Sequence, residues 1–473
     1  MSKPEKPRAF TTEMICQGGN QFAESTTSEI RLQPTTGAGN YSTAGSSISF
    51  RIDRMPQTFL ENSTLTLNGR VAITAGATAN TNLATLLGYA GSFFQTLRVK
   101  SNGITLDDIT NFAQLNAKIF DFTMSRSDKV ALSPAYLFDP ITNAQGVVVN
   151  GVSSIGAGNR FNGFPSGLLF SFSIPIPCSV TNASSFWPLY ASDLEFEFVL
   201  ASPTAIFVAS AGTISPSFTL MNMELVANVI KLESAPFAQL ISRQPLDENG
   251  FLEIKTDMWG YYSANLIASQ PAGRNDVQIA VQKKSIKRIM LTTQPSNAAE
   301  LSFAGVNPNL ESIQFVIGTD VYPKLPMRVN NPAEVMTNIR KALGGVYQSG
   351  AGTLNPFAFC KASTIYNPYY YSYNTDPTYL NTTISAATSL TTLPATDPSV
   401  TNNKWVMLLD LEAISGNKEL MFNGVSTRGS ISSYIRFTHE AALAAVAHTL
   451  HIWTNYDAVI RIDPVNFQTS IDD

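Results

Sequence analysis

The same order of local signals is written twice in this chain, about half its length apart. Residues 96–122, TLRVKSNGITLDDITNFAQLNAKIFDF, read as strand, tight turn, strand and amphipathic helix. Residues 312–345, SIQFVIGTDVYPKLPMRVNNPAEVMTNIRKALGG, read the same way. The first hairpin turns at KSNG, with Asn102 and Gly103, and the second at IGTD, with Gly318 and Asp320. Phe112, Leu115, Ile119 and Phe120 make one apolar stripe at helical spacing, and Val335, Ile339 and Leu343 make another. The second helix opens on Asn331 as N-cap, Pro332 at its first position and Glu334 where a capping box needs a carboxylate. It stops at Gly344 and Gly345.

The parallel runs on past the helices. After each comes a stretch rich in Gly, Asn, Ser and Pro, residues 123–166 and 346–403, and then three strands in matched order. LLFSFSIPIP matches WVMLLDLEAI, and DLEFEFVLA matches SSYIRFTHEA. FTLMNMELVANVIKL (218–232) matches HTLHIWTNYDAVIRI (448–462). The last pair shares Thr219/Thr449, Leu220/Leu450, Val229/Val459, Ile230/Ile460 and a basic Lys231/Arg461, each 230 positions apart. The hairpin glycine and asparagine, Gly318 and Asn102, lie 216 apart, so the intervening loops differ in length. A period this long marks a duplicated domain, since solenoid units run ~20–50 residues.

Each half is strand-dominated. SISFRIDRM, STLTLNGRVAI and DLEFEFVLA alternate apolar and polar residues between turn signals. In the last, Leu194, Phe196 and Phe198 share a face and Glu195 and Glu197 point the other way, as in an antiparallel sandwich with one wet face. Eight antiparallel strands in two four-stranded sheets make a jelly roll. The sequence therefore predicts an all-β chain of two tandem eight-stranded antiparallel jelly rolls, each with one short helix followed by a long loop. Residues 1–45 read as a flexible N-terminal arm, 46–235 as the first roll and 236–473 as the second. The linker falls within LESAPFAQLISRQPLDENG, residues 232–250.

Charged residues are 14% of the chain, well below the usual quarter. So little charge beside abundant Ser, Thr, Ala and Asn suits extended structure packed against identical neighbours better than a freely soluble helical enzyme. A net charge of −4 supplies no global positive field for nucleic acid or anionic lipid. Cys16, Cys178 and Cys360 are scattered without CxxC spacing and read as free thiols of a reducing compartment. MSKPEKPRAF lacks the apolar core of a secretory signal, and no apolar run reaches the ~18–20 residues of a membrane helix. These features read as a protein made and used inside a cell.

Two jelly rolls in tandem, each with a helix and a long loop before its last three strands, resemble the double jelly-roll major capsid proteins of the PRD1–adenovirus lineage of double-stranded DNA viruses. The likeness spans residues 45 to 465 and rests on the order of elements, with ESIQFVIGTDVYPKLPMRV and its following helix the most similar part. The resemblance implies a structural protein without enzymatic activity or cofactor. It implies a homotrimer of six upright rolls forming a pseudo-hexagonal capsomer that tiles an icosahedral shell, assembled inside the host cell and resident in the virion. Its partners would be itself, neighbouring capsomers, and penton and minor capsid proteins. The long loops would be outward towers. The arm bearing Lys3, Lys6 and Arg8 would lie inside, toward a membrane or the genome.

Within the second loop, IYNPYYYSYNTDPTYL groups Tyr366, Tyr369, Tyr370, Tyr371 and Tyr373. Tyrosine offers apolar area with a polar tip, suited to contacts between subunits or with a host receptor. A loop folded back on its own chain uses the same chemistry.

Signals for catalysis are weak. His439, His448 and His451 include an HTLH spacing that suits a metal only on a helix, because residues three apart on a strand face opposite sides. No metal site is expected, and the histidines read as core or interface residues. GxSxG, GxxxxGK[ST] and HExxH do not occur. NLIASQPAG and RKALGGVYQSGAG carry glycines outside the strand-to-helix setting that binds phosphate. Glu195 and Glu197 read as a solvated face. The densest basic stretch is QKKSIKRIM, with Lys283, Lys284, Lys287 and Arg288. It reads as a solvated strand edge, or as a contact for nucleic acid, acidic lipid or a neighbour. Trp187, Trp259, Trp405 and Trp453 are expected in the cores. The rival reading is a two-domain β-sandwich that binds or processes carbohydrate, since jelly rolls also serve lectins and cupins. A glycine-rich phage fibre ranks below both.

Overall fold

The computed structural model describes residues 16–17, 21–22, 25–37, 39–74, 83–86, 89–124, 128, 131–132, 135–137, 164–165, 169–209, 216–242, 246–247, 250–266, 271–295, 310–329, 331–342, 405–413, 422–429, 432–439 and 447–473. The principal strands of the first unit are β1 (Ser25–Leu32), β2 (Ser47–Ile52), β3 (Thr58–Thr74), β4 (Phe94–Ser101), β5 (Ile104–Thr110), β6 (Leu169–Pro175), β7 (Leu194–Leu200) and β8 (Ser217–Leu232). One sheet runs β1-β8-β3-β6 and the other β2-β7-β4-β5. The second unit contains β9 (Leu252–Leu266), β10 (Gly273–Ile279), β11 (Ile286–Pro295), β12 (Leu310–Ile317), β13 (Asp320–Arg328), β14 (Met407–Asp410), β15 (Ser433–His439) and β16 (His448–Ile462). Its sheets run β9-β16-β11-β14 and β10-β15-β12-β13. Both units thus pair first, eighth, third and sixth strands in one sheet and second, seventh, fourth and fifth in the other. That is the jelly-roll order, used twice. A final strand, β17 (Thr469–Asp472), pairs with the end of β16 beyond the reach of β11.

The cores follow the alternation read from sequence. Leu194, Phe196, Phe198 and Leu200 of β7 are buried, with Phe198 edge-on to Phe50 at 6.1 Å. Each such side chain contributes about 1.5–3 kcal/mol on burial. Trp187, Trp405 and Trp453 are fully buried, while Trp259 is only partly so, packed against the core from its margin. Asn102 and Gly103 take φ of 47° and 81° in the β4–β5 turn, as a tight hairpin of this hand requires, and Gly318 takes 57° in its counterpart.

Helices α1 (Phe112–Thr123), α2 (Ser179–Asn182), α3 (Ser234–Ser242) and α4 (Pro332–Ala342) complete the elements used below. α1 and α4 follow β5 and β13 as expected. At the start of α4 the Glu334 N–H lies 3.5 Å from Asn331 Oδ1, and the Glu334 carboxylate accepts from the Arg328 N–H at 3.4 Å. Val335 and Ile339 are buried, and Leu343 lies outside the described residues. α1 differs from a one-sided amphipathic helix: Gln114, Asn116 and Lys118 are buried along with Phe112, Leu115 and Phe120.

Two expectations are corrected. Residues 1–45 are not wholly an arm, because β1 lies within them, with Ser25 opposite Leu232 and Leu32 opposite Leu225, and Tyr41 bridges Leu220. The first roll needs this strand to cover β8. Its sequence, STTSEIRL, lacks alternation because only Ile30 and Leu32 are shielded at that edge. The second correction concerns QKKSIKRIM, which is no solvated edge, since β11 is paired on both sides, with β14 and with β16. The expected linker range contains a helix: in α3, Leu240 is buried and Phe237 meets Tyr190 edge-on at 5.2 Å.

Candidate functional site

The seam between the two rolls fixes how one stands beside the other. From the first roll it uses β5, the β4–β5 turn and α2, and from the second β9 and β17. Thr256 on β9 donates its hydroxyl to the Ser179 carbonyl at 2.5 Å, and the Ser179 N–H donates to Asp107 Oδ2 at 2.6 Å. The Ser184 N–H donates to the Lys255 carbonyl at 3.0 Å. At the hairpin, Asn102 Nδ2 donates to Thr469 Oγ1 at 3.1 Å, while the Asn102 N–H donates to Asp193 Oδ1 at 2.7 Å. Nearby, the Arg54 guanidinium lies over the Phe467 ring, 4.1 Å from its centroid.

A polar chain crosses the seam further along. Asn111, left-handed at φ 54° where α1 begins, donates from Nδ2 to the Tyr261 hydroxyl at 2.8 Å. That hydroxyl lies 2.8 Å from His451 Nδ1, and His451 Nε2 lies 3.0 Å from Gln294 Oε1. With the proton on Nε2, each of these groups has a matching partner. Burial holds the His451 imidazole neutral down to about 4, assisted by the positive Lys118. Burial acts in the opposite direction on Asp107, pushing its carboxyl up to about 6 against the hydrogen bonds from Ser179.

β16 carries the sign of this burial. Apart from Thr449 and Arg461, every residue of it is buried, so neither face is wet. The joint is also made of unlike edges. β5 ends its sheet in the first roll, and β9 ends a different sheet in the second. Their counterparts, β13 and β1, likewise end sheets. Most of β1 is exposed, and Leu325 on β13 is 82% exposed.

The charges read from sequence are paired. Glu195 stands opposite Lys100 and Glu197 opposite Arg98, with N–O distances of 3.3 Å and 3.8 Å, so the wet face is a cross-strand ladder. The basic stretch is neutralised where it folds. Lys283 pairs with Asp473, Lys284 with Asp472 at 2.5 Å, and Arg288 with Glu412 at 3.3 Å. Lys287 sits between Asp257 at 2.9 Å and Asp457 at 3.0 Å. His439, His448 and His451 are all buried. Cys178 is buried, with its thiol pushed up to about 12 by burial and by Asp107. Tyr366, Tyr369, Tyr370, Tyr371, Tyr373, Lys3, Lys6 and Arg8 lie outside the described residues, as do most of the two long loops. The seam was missed at the sequence level. Its signal was the run of apolar and polar residues in HTLHIWTNYDAVIRI that breaks period-2 alternation.

No family model matches the sequence, and no curated protein sequence matches it. Solved structures do. The PBCV-1 virus capsid chain superposes with a TM-score of 0.58 at 11% identity, covering 96% of this chain and 98% of that one. The Faustovirus major capsid protein gives 0.55 at 11% identity, covering 95% and 92%. The mavirus major capsid protein gives 0.51 at 11% identity, covering 100% and 92%. The described residues therefore have the double jelly-roll fold.

Proposed function

We propose that this chain is the major capsid protein of a double-stranded DNA virus, a structural tile without enzymatic activity that works as a homotrimer. The observation that carries the reading is the joint of unlike edges between two rolls of one topology. A contact that joins unlike surfaces repeats until it closes a ring or runs on as a filament. Here β5 meets β9 within a chain, which leaves β13 to meet β1 of the next copy. Three chains then close as six rolls. Leu325 is the apolar residue that the second joint would cover. Fold likeness to the PBCV-1, Faustovirus and mavirus capsid chains supports the same reading.

On this reading the protein resides in the virion and contacts neighbouring capsomers, penton and minor capsid proteins. The arm with Lys3, Lys6 and Arg8 faces a membrane or the genome, and the tyrosines at 366–373 sit on an outward loop open to a receptor. The first functional unit begins at β1, ahead of residue 46, and the second near residue 236. The test is native mass with electron microscopy. Three 51.2-kDa chains in a hexagonal outline are expected, and Leu325→Asp should shift that mass toward one chain with the fold retained. A stable wild-type monomer would sink the proposal.

A further inference from the structure

Lys287 lies at the bulge of β11 between Ile286 and Arg288, a cation enclosed among carboxylates. Its Nζ is 2.9 Å from Asp257 Oδ1, 3.0 Å from Asp457 Oδ1 and 3.8 Å from Glu412 Oε1. The side chains of Lys287, Asp457 and Glu412 are 5%, 0% and 1% exposed. Their chain neighbours Ile286, Leu411, Tyr456 and Ala458 are buried as well, so water has little access.

The carboxyl of Asp457 is held in place. Its Oδ2 accepts the Ser285 hydroxyl at 2.8 Å and the Phe422 N–H at 2.9 Å. Its Oδ1 is buried 3.0 Å from the Lys287 nitrogen. The nitrogen is thus in direct contact with the carboxyl group. Glu412 is a third, separately anchored group, with Oε2 held by Arg288 at 3.3 Å and Oε1 turned toward Lys287. A buried ion pair gains little net stability, whereas two reactive groups fixed in contact gain an effective concentration on the order of 10⁵–10⁸ M.

We propose that Lys287 and Asp457 condense into an intramolecular isopeptide bond, with Glu412 moving the protons. The ammonium and the carboxylate already contain every atom of an amide plus one water, so no oxidant, reductant or other reactant enters. Burial disfavours the charge on Lys287 and Asp257 and Asp457 outweigh it, so the nitrogen rests as an ammonium and the step begins with proton transfer. Lys287 passes one proton to Glu412, and the freed lone pair attacks Cγ of Asp457, forming the C–N bond. Glu412 delivers that proton to a carboxyl oxygen, a second proton follows from the nitrogen, and the C–O bond breaks as water leaves. One proton stays on the amide nitrogen. One cation and one anion disappear together. Glu412 keeps Arg288, and Asp257, whose side chain is 37% exposed, turns to water. The bond staples β11 to β16, adjacent strands in the sheet. It rests on this cluster alone and not on the capsid reading.

The experiment is intact-mass spectrometry of the purified full chain under denaturing conditions, followed by peptide mapping. The expected mass is one water below that of the sequence, with a branched peptide joining Lys287 to Asp457. Glu412→Gln should restore the full mass while the circular dichroism of the folded chain is unchanged. Wild-type protein that keeps its full mass after long incubation in the folded state overturns the proposal. A branch ending at Asp257 overturns the assignment of Asp457. Because the wild-type mass decides, a variant that fails to fold does not rescue the idea.

Discussion

Asn111 donates from its side-chain amide to the hydroxyl of Tyr261 at 2.8 Å, tying the residue that opens α1 in the first roll to the first strand of the second. The chain runs on through His451 to Gln294, and the His451 ring lies 6.0 Å from the centroids of both Tyr261 and Trp453, which are 5.7 Å from each other. A proton added to that ring would be buried beside Lys118. The two rolls are therefore joined through a group that must stay neutral.

Acid should weaken this joint. The folded His451 titrates near 4 and an unfolded histidine near 6.5, so between these values the unfolded chain takes up a proton that the folded one refuses. Stability is intact above pH 6.5, falls as pH drops to 4, and then levels off. The full loss is about 3 kcal/mol. His451→Gln should abolish that component, read as a thermal midpoint that changes less with pH over this window than in wild type. Parallel curves for the two proteins would mean the ring is not confined as described.

Asp107 has the opposite slope. Burial raises its carboxyl to about 6 from 3.8, so between these values the folded state holds the extra proton, and stability falls as pH rises. Above pH 6 the buried charge costs about 3 kcal/mol. Asp107→Asn keeps an oxygen for the Ser179 N–H and carries no charge. Its urea midpoint should exceed that of wild type above pH 6 and approach it below pH 4. An equal offset at both ends would assign the effect to packing. Burial raises the neighbouring Cys178 and Tyr456 as well, and the Asp107 charge adds to both.

Deleting β1 tests the boundary that sequence patterning misplaced. Removing residues through 32 strips the partner from Ser25–Leu32's side of β8 and leaves a row of open backbone groups at a sheet edge. Aggregation on purification is expected. A soluble truncated chain with unchanged melting would restore the arm reading of residues 25–32.

Strands whose two faces differ in wetness were legible, and β7 is the plainest case, because alternating Leu, Glu, Phe, Glu and Phe records the core directly. β1 was illegible for the converse reason: at an exposed edge neither face selects apolar residues. The fate of Lys283, Lys284, Lys287 and Arg288 was hidden differently. Their partners, Asp257, Glu412, Asp457, Asp472 and Asp473, come from distant stretches of chain, and no local pattern announces a pairing made only by the fold. The duplication revealed that two rolls exist, but not that Asn111 and Tyr261 would join them.

The same reasoning separates two kinds of ion pair by magnitude. Arg98 is 43% exposed beside Asp108 and Glu197, where a pair contributes about 0–1 kcal/mol. Lys287 is enclosed, and its removal strands the buried Asp457 carboxylate without its cation, which costs about 3–5 kcal/mol, while Glu412 keeps Arg288. Arg98→Met should therefore leave the chemical-denaturation midpoint within about 1 kcal/mol of wild type and lose its remaining effect in high salt. Lys287→Met should lower the midpoint severely. Replacing Lys287, Asp457 and Glu412 together by apolar residues of similar size should recover much of the loss, since the penalty belongs to the stranded charges and not to the missing bond. A triple variant as unstable as the single one would show that the cluster sets the packing of β11 against β16 in its own right.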